Sequence, residues 1–142
     1  MKTRFSSLVS VKKNSMQKSE LVVQTANNNL NNAKTALKNA YIELQQIQSP
    51  LTGKITELFA SRALLDTQRH IIKENEEWII YAEQELHVAK EQLKSDMIEY
   101  EKFKYLELQE INATLKKIKI KEAKDLDEIA LITFAKNNNR VA

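Results

Sequence analysis

Pro50 and Gly53 are the only proline and the only glycine in the chain. Both fall within the stretch Ser49-Pro50-Leu51-Thr52-Gly53. Proline removes a backbone donor and clashes with the preceding turn, so it does not sit inside a long helix. Glycine is the usual residue where a helix stops or the chain reverses. A chain of 142 residues with one such mark is divided once. The expectation is an all-α protein: a long antiparallel two-helix coiled-coil hairpin with unequal arms. Its parts read as a first helix over 4–48, a bend and a short tip helix over 49–63, a long second helix over 64–136, and a disordered tail over 137–142.

Spacing supports this division. Positions 5, 9, 12, 16, 19, 23, 26, 30, 33, 37, 40, 44 and 47 alternate by three and four without a slip, and all but Lys12 and Ser19 are apolar. A seam sustained this long specifies a coiled coil rather than an ordinary surface helix. Val23, Leu30, Leu37 and Leu44 are its large residues, and Ala26, Ala33 and Ala40 alternate with them. Small layers let two helices approach closely. The asparagines at 27, 28, 29, 31, 32 and 39 are poor helix formers, but the heptad runs through them, so they read as a solvated face.

The second arm carries a matching seam at Ile72, Asn75, Ile79, Ala82, Leu86, Ala89 and Leu93. It then steps to Met97 and Tyr100, a stutter of two fours that locally unwinds a supercoil. Leu108, Ile111, Leu115, Ile118, Leu126 and Ile129 continue the apolar face less tidily. With the bend near residue 53, Phe5 falls opposite a position near 101, and residues 103–136 are left without a partner. A projecting carboxy-terminal helix that docks elsewhere is therefore expected. Ile71, Trp78, Ile80 and Tyr81 lie outside the seam. Either the tip helix, Ile55 to Leu65, folds over them, or they form a docking patch, since aromatic residues are favoured anchors.

Charge is unevenly placed. Residues 1–47 hold seven basic and two acidic groups, and residues 66–102 hold five and ten. A basic arm beside an acidic one favours their pairing, although each exposed ion pair contributes only about 0.2–1 kcal/mol. Lys116, Lys117, Lys119, Lys121 and Lys124 form a basic cluster without arginine or aromatic residues, flanked by acids. It reads as a solvated or protein-docking face, and no nucleic-acid partner is expected.

Enzymatic chemistry is not expected. Without cysteine there is no thiolate nucleophile, thiolate metal site or disulfide. A helical di-iron site needs Glu-x-x-His, but Thr67 precedes His70 and Gln84 precedes His87 at that spacing. A lone glycine rules out a P-loop. No catalytic residue, metal site or cofactor is assigned. The longest apolar run, Trp78 to Ala82, is far short of the ~20 residues of a bilayer span. The opening Met1-Lys2-Thr3-Arg4-Phe5 lacks an apolar stretch of signal-peptide kind before Lys12. A cytoplasmic protein is expected.

Two short stretches and the whole-chain plan, an asymmetric hairpin without cysteine, carry a resemblance. Phe5-Ser6-Ser7-Leu8-Val9-Ser10-Val11 is similar to the F-x-x-L-x-x-V/L opening of the FliJ family, the small coiled-coil component of the flagellar type III export apparatus. Glu122-Ala123-Lys124-Asp125-Leu126-Asp127-Glu128-Ile129-Ala130 resembles that family's E-x-K-x-L-D-E-x-A ending. The asparagine-rich first arm departs from the family's usual Glu, Lys and Arg. The resemblance implies a role like the central stalk of a rotary ATPase, inserted into the hexameric export ATPase and stimulating it. It also implies contact with the cytoplasmic domain of the export gate membrane protein and with export chaperones, at the inner face of the membrane beneath the flagellum. By that analogy Phe5, Leu8, Leu126 and Ile129 engage the ATPase, and Ile71, Trp78 and Tyr81 are the gate contact. The competing expectations are a prefoldin-like chaperone hairpin and a generic coiled-coil scaffold. Self-association also stays open, because a free amphipathic tail pairs readily with its own copy.

Overall fold

A computed structural model describes residues 2–47 and 53–141. The protein is all-α, with two helices of unequal length: α1, Ser6–Gln46, and α2, Ile55–Val141. They meet in two compact units, one of Asn14–Met97 and one of Met1–Lys13 with Ile98–Ala142. Within each unit the two helices pair antiparallel.

Both helix starts are defined locally. Thr3 Oγ1 accepts from the Phe5 amide at 3.1 Å, and Ser6 Oγ accepts from the Thr3 amide at 2.9 Å. That reciprocal cap satisfies donors a helix start leaves orphaned. At α2 the Lys54 carbonyl receives the Glu57 and Leu58 amides, and Glu57 places its carboxylate at the positive end of the helix dipole. Before it, Gly53 has φ +155°, a region closed to most L-residues. A Cβ there would also lie 2.5 Å from Glu57 Oε2. Ser49, Pro50, Leu51 and Thr52, where the bend was expected, lie outside the described residues.

In the unit of Asn14–Met97, Ala26, Leu30, Ala82, Leu86 and Ala89 form the buried cluster, with Val23 and Ile79 packed against it. Ala40 and Ile72 are buried nearer the connection, and Leu37, Leu44 and Leu93 are half-buried. Among the described residues no side chain is completely enclosed, as expected where one narrow seam does all the burying. All thirteen heptad positions of the first arm, eleven in α1 with Phe5 and Ile47 at its two ends, face inward, buried or half-buried. That includes Ser19, which is more deeply covered than its apolar neighbour Met16.

Polar side chains occupy several of these layers and are satisfied across the interface. Buried Gln68 donates through Nε2 to the Ala40 carbonyl at 2.9 Å and to Glu43 Oε2 at 3.3 Å. Ser19 Oγ donates to the Asp96 carboxylate, which Gln92 also reaches at 3.1 Å. Among the described residues no buried side-chain nitrogen or oxygen lacks a partner.

That pair of Ser19 and Asp96 removes the expected stutter. Met97 is 46% exposed, and Asp96 turns inward in its place. The inward positions of α2 run 61, 65, 68, 72, 75, 79, 82, 86, 89, 93, 96, 100 and 103 without a slip in the alternation of three and four. Choosing the apolar Met97 skipped a layer that a serine makes hospitable to a carboxylate.

Of the bend and short tip helix expected over 49–63, residues 55–63 belong to α2. Residues from Ile55 are the opening turns of α2 itself. Nothing between Ile55 and Leu65 breaks a helix, and propagation adds a hydrogen bond for each residue fixed. For the same reason α2 passes the expected limit at 136 and reaches Val141, so residues 137–141 are helical rather than disordered.

The register differs as well. In the unit containing the amino terminus, Arg4 Nε lies 3.2 Å from Glu110 Oε2 and Lys12 Nζ lies 3.8 Å from Glu99 Oε2. Lys12 Nζ also sits 5.7 Å from the centre of the Phe103 ring. These partners lie roughly two helical turns further along α2 than a bend at residue 53 implies. The cause is that α2 begins at Ile55, ahead of its first inward residue, the buried Ser61. Phe103, Leu106, Ile111 and Thr114 are consequently half-buried. The unpaired stretch begins at Leu115, not at 103.

Candidate functional site

The described residues hold no group of three or more histidine, cysteine or carboxylate side chains placed to bind a metal. His70 Nε2 meets Glu74 Oε1 at 3.1 Å on the open surface one turn away, an ordinary helix-face pair. No described helix is long and apolar enough to cross a membrane. What the molecule does present is exposed apolar surface, in separate places.

The first is a groove of about 720 Å³ in the unit of Asn14–Met97. Its floor is made by the small seam residues Ala26, Ala33 and Ala82. Leu21 and Val22 of α1 form one wall, and Trp78 and Tyr81 of α2 form the other. The two rings pack edge to face, with centres 5.8 Å apart and planes at 89°, so each limits the other's freedom. Trp78 is nonetheless 62% exposed. No tip helix covers it, because residues 55–65 run on into α2. Ile80 is exposed nearby, whereas Ile71 does not line the groove.

This wall is acidic. Residues 74–85 include Glu74, Glu76, Glu77, Glu83 and Glu85 and no lysine or arginine. Glu76 accepts the Tyr41 hydroxyl at 2.9 Å. That hydrogen bond, helped by the carboxylate's charge and by slight desolvation, holds the Tyr41 hydroxyl above its ordinary value of 10.0. Among the described residues no ion pair joins α1 to α2 between residues 14 and 97. Charge therefore contributes less to pairing there than the uneven composition implied.

The second surface is α2 beyond Thr114. Every described residue from 115 to 139 is exposed, including Leu115, Ile118, Ile120, Leu126, Ile129, Leu131, Ile132 and Phe134. Leu126 and Ile129, singled out from the sequence, lie within it. At the amino end Leu8 is exposed, but Phe5 is half-buried with the Arg4 guanidinium 4.9 Å over its ring. Of the residues expected to bind partners, only Trp78 and Tyr81 are brought together in one pocket.

Leu21 and Val22 are the groove residues that the sequence reading missed. Their signal was present: the run Leu21-Val22-Val23 has three apolar residues where the seam needs one. Leu131, Ile132 and Phe134 likewise exceed what a single stripe requires. No curated protein and no solved structure matches the chain. A family model described as flagellar FliJ protein matches residues 1–139.

Proposed function

The chain belongs to the flagellar FliJ family, a non-catalytic helical component of flagellar export, and on that premise we propose that it acts as a stalk for the hexameric export ATPase. The single observation that carries this reading is the free surface of α2 from Leu115 to Phe134, where large apolar side chains and lysines share an unpaired helix. A stalk acts by seating such a helix among the ATPase subunits and biasing their assembly and turnover. Apolar and basic contacts do this work, without acid, base or metal. Leu126 and Ile129 are its proposed contacts, with Leu8 and the edge of Phe5 contributing from the amino end. Ile71, Trp78 and Tyr81 are the proposed contact with the cytoplasmic part of the export gate, and export chaperones remain proposed partners. This reading places the protein at the cytoplasmic face of the membrane beneath the flagellum.

The test is steady-state hydrolysis by the purified export ATPase with and without the full chain, together with sizing of the ATPase. Stimulation and a shift to hexamer, both lost on deleting residues 123–142, support the stalk. No effect at saturating concentration removes it. For the gate, Trp78→Ala is expected to weaken capture of the gate's cytoplasmic domain, and unchanged capture would move that contact elsewhere. The prefoldin-like reading requires strands for assembly, and the described residues contain none.

A further inference from the structure

Two exposed surfaces of this chain are complementary, and neither is satisfied within the molecule. The groove beside Trp78 and Tyr81 is apolar at its centre, with carboxylates along one wall. Glu85 lines it directly, and Glu74 and Glu77 flank the two rings. Glu77, Glu83 and Glu85 take part in no ion pair among the described residues. The opposite wall offers no counter-charge, since residues 21–33 of α1 are apolar, alanine, asparagine, glutamine and threonine.

Residues 115–124 have the opposite character. This stretch carries Lys116, Lys117, Lys119, Lys121 and Lys124 against the single acid Glu122. None of the five lysines takes part in an ion pair among the described residues. Leu115 and Ile118, one turn apart, are exposed, with Lys119 beside them, Lys121 on the other flank and Glu122 one turn beyond Ile118 on the same face. An apolar ridge bordered by lysines is the helix face that a groove of alanine floor, aromatic wall and glutamate rim accepts. Both segments belong to helix α2, and the occupant considered is a second copy of the chain.

We propose that the protein associates with itself, the Trp78–Tyr81 groove of one molecule receiving the 115–124 segment of a second. Apolar contact of Leu115 and Ile118 with the aromatic wall supplies the affinity, and lysine–glutamate contacts supply orientation and salt sensitivity. If both molecules exchange segments, the two contacts close a dimer. Such a dimer would cover surfaces that the stalk and gate contacts use, so it would be the form in which the chain waits. The self-association itself does not depend on the stalk reading.

Sedimentation equilibrium of the full chain alone, over a concentration series at low and high salt, tests this. A dimer is expected that weakens as salt rises from about 0.05 M to about 0.5 M, where screening shortens the range of charge interactions. Trp78→Ala and the double variant Lys119→Glu with Lys121→Glu are each expected to weaken it by about tenfold or more, as central aromatic anchors and charge reversal do. All three positions are exposed, and circular dichroism checks that the helices persist. An equimolar mixture of the two variants is expected to associate better than either alone. One supplies an intact lysine segment and the other an intact groove. A monomer at every concentration in low salt overturns the proposal and leaves the groove to a basic helix from a different protein. A dimer indifferent to both variants overturns it too, since the contact would then lie on another face.

Discussion

At the scale of single residues, the informative positions are those where polarity or backbone geometry is forced. Gly53 occupies φ +155°, where any other residue is strained, while the Glu57 carboxylate near the Cβ position can swing aside. Gly53→Ala is expected to destabilise by about 1–3 kcal/mol, read as a lower midpoint in thermal or urea unfolding. Ser19 and Asp96 satisfy each other inside the seam. Ser19→Ala alone, which leaves the inward carboxylate only its bond from Gln92, should cost about 1–3 kcal/mol, whereas Ser19→Ala combined with Asp96→Leu should recover most of it. A double-mutant cycle reads the difference. Tyr41 offers a pH test. Its hydroxyl is held above 10.0 by Glu76, so its contribution to stability is complete below that value and is lost as pH rises through the higher folded one. Melting temperature should fall more steeply above pH 10 in the wild type than in Tyr41→Phe.

At the scale of the helices, the two arms behave differently. Leu30→Ala in the buried cluster is expected to cost about 2–5 kcal/mol, whereas Val22→Ala on the exposed groove wall should stay within about 0.5 kcal/mol. Along α2, amide hydrogen exchange should be slow through the paired stretch and fast beyond Thr114, because an isolated helix without packing is marginal in water. Equal protection on both sides of Thr114 would mean that the carboxy-terminal stretch has found a partner. How far the sequence revealed these elements depends on what each layer is made of. In α1 the apolar repeat carries the seam past Lys12 and Ser19, so its inward face was legible residue by residue. In α2 the seam is partly polar, at Ser61, Gln68, Asn75 and Asp96. There the seam count admitted Asn75 but chose the apolar Met97 over Asp96 and invented a stutter. The register was also illegible, because it depends on how far α2 runs before Gln68 reaches the Ala40 carbonyl. Proline and glycine mark where a chain turns, not how much helix precedes the first contact.

For the molecule as a whole, deleting residues 123–142 should leave the unfolding midpoint of the paired helices nearly unchanged while abolishing ATPase stimulation. Every described residue removed up to 139 is exposed. Loss of stability in parallel with activity would instead make that stretch part of the folded core. The antiparallel pairing has a further consequence for how the protein is made. Gln68 and Ala40 are separated by 28 residues, but Arg4 and Glu110 by 106. Closing the shorter loop costs less chain entropy, so assembly should begin beside the connection and close toward the termini. On the ribosome, at ~5–20 residues per second, Arg4 waits roughly 5–20 s before Glu110 is even synthesised. During that interval Phe5, Val9 and Met16 have no seam to enter, and the part of the chain born first is the last to find shelter.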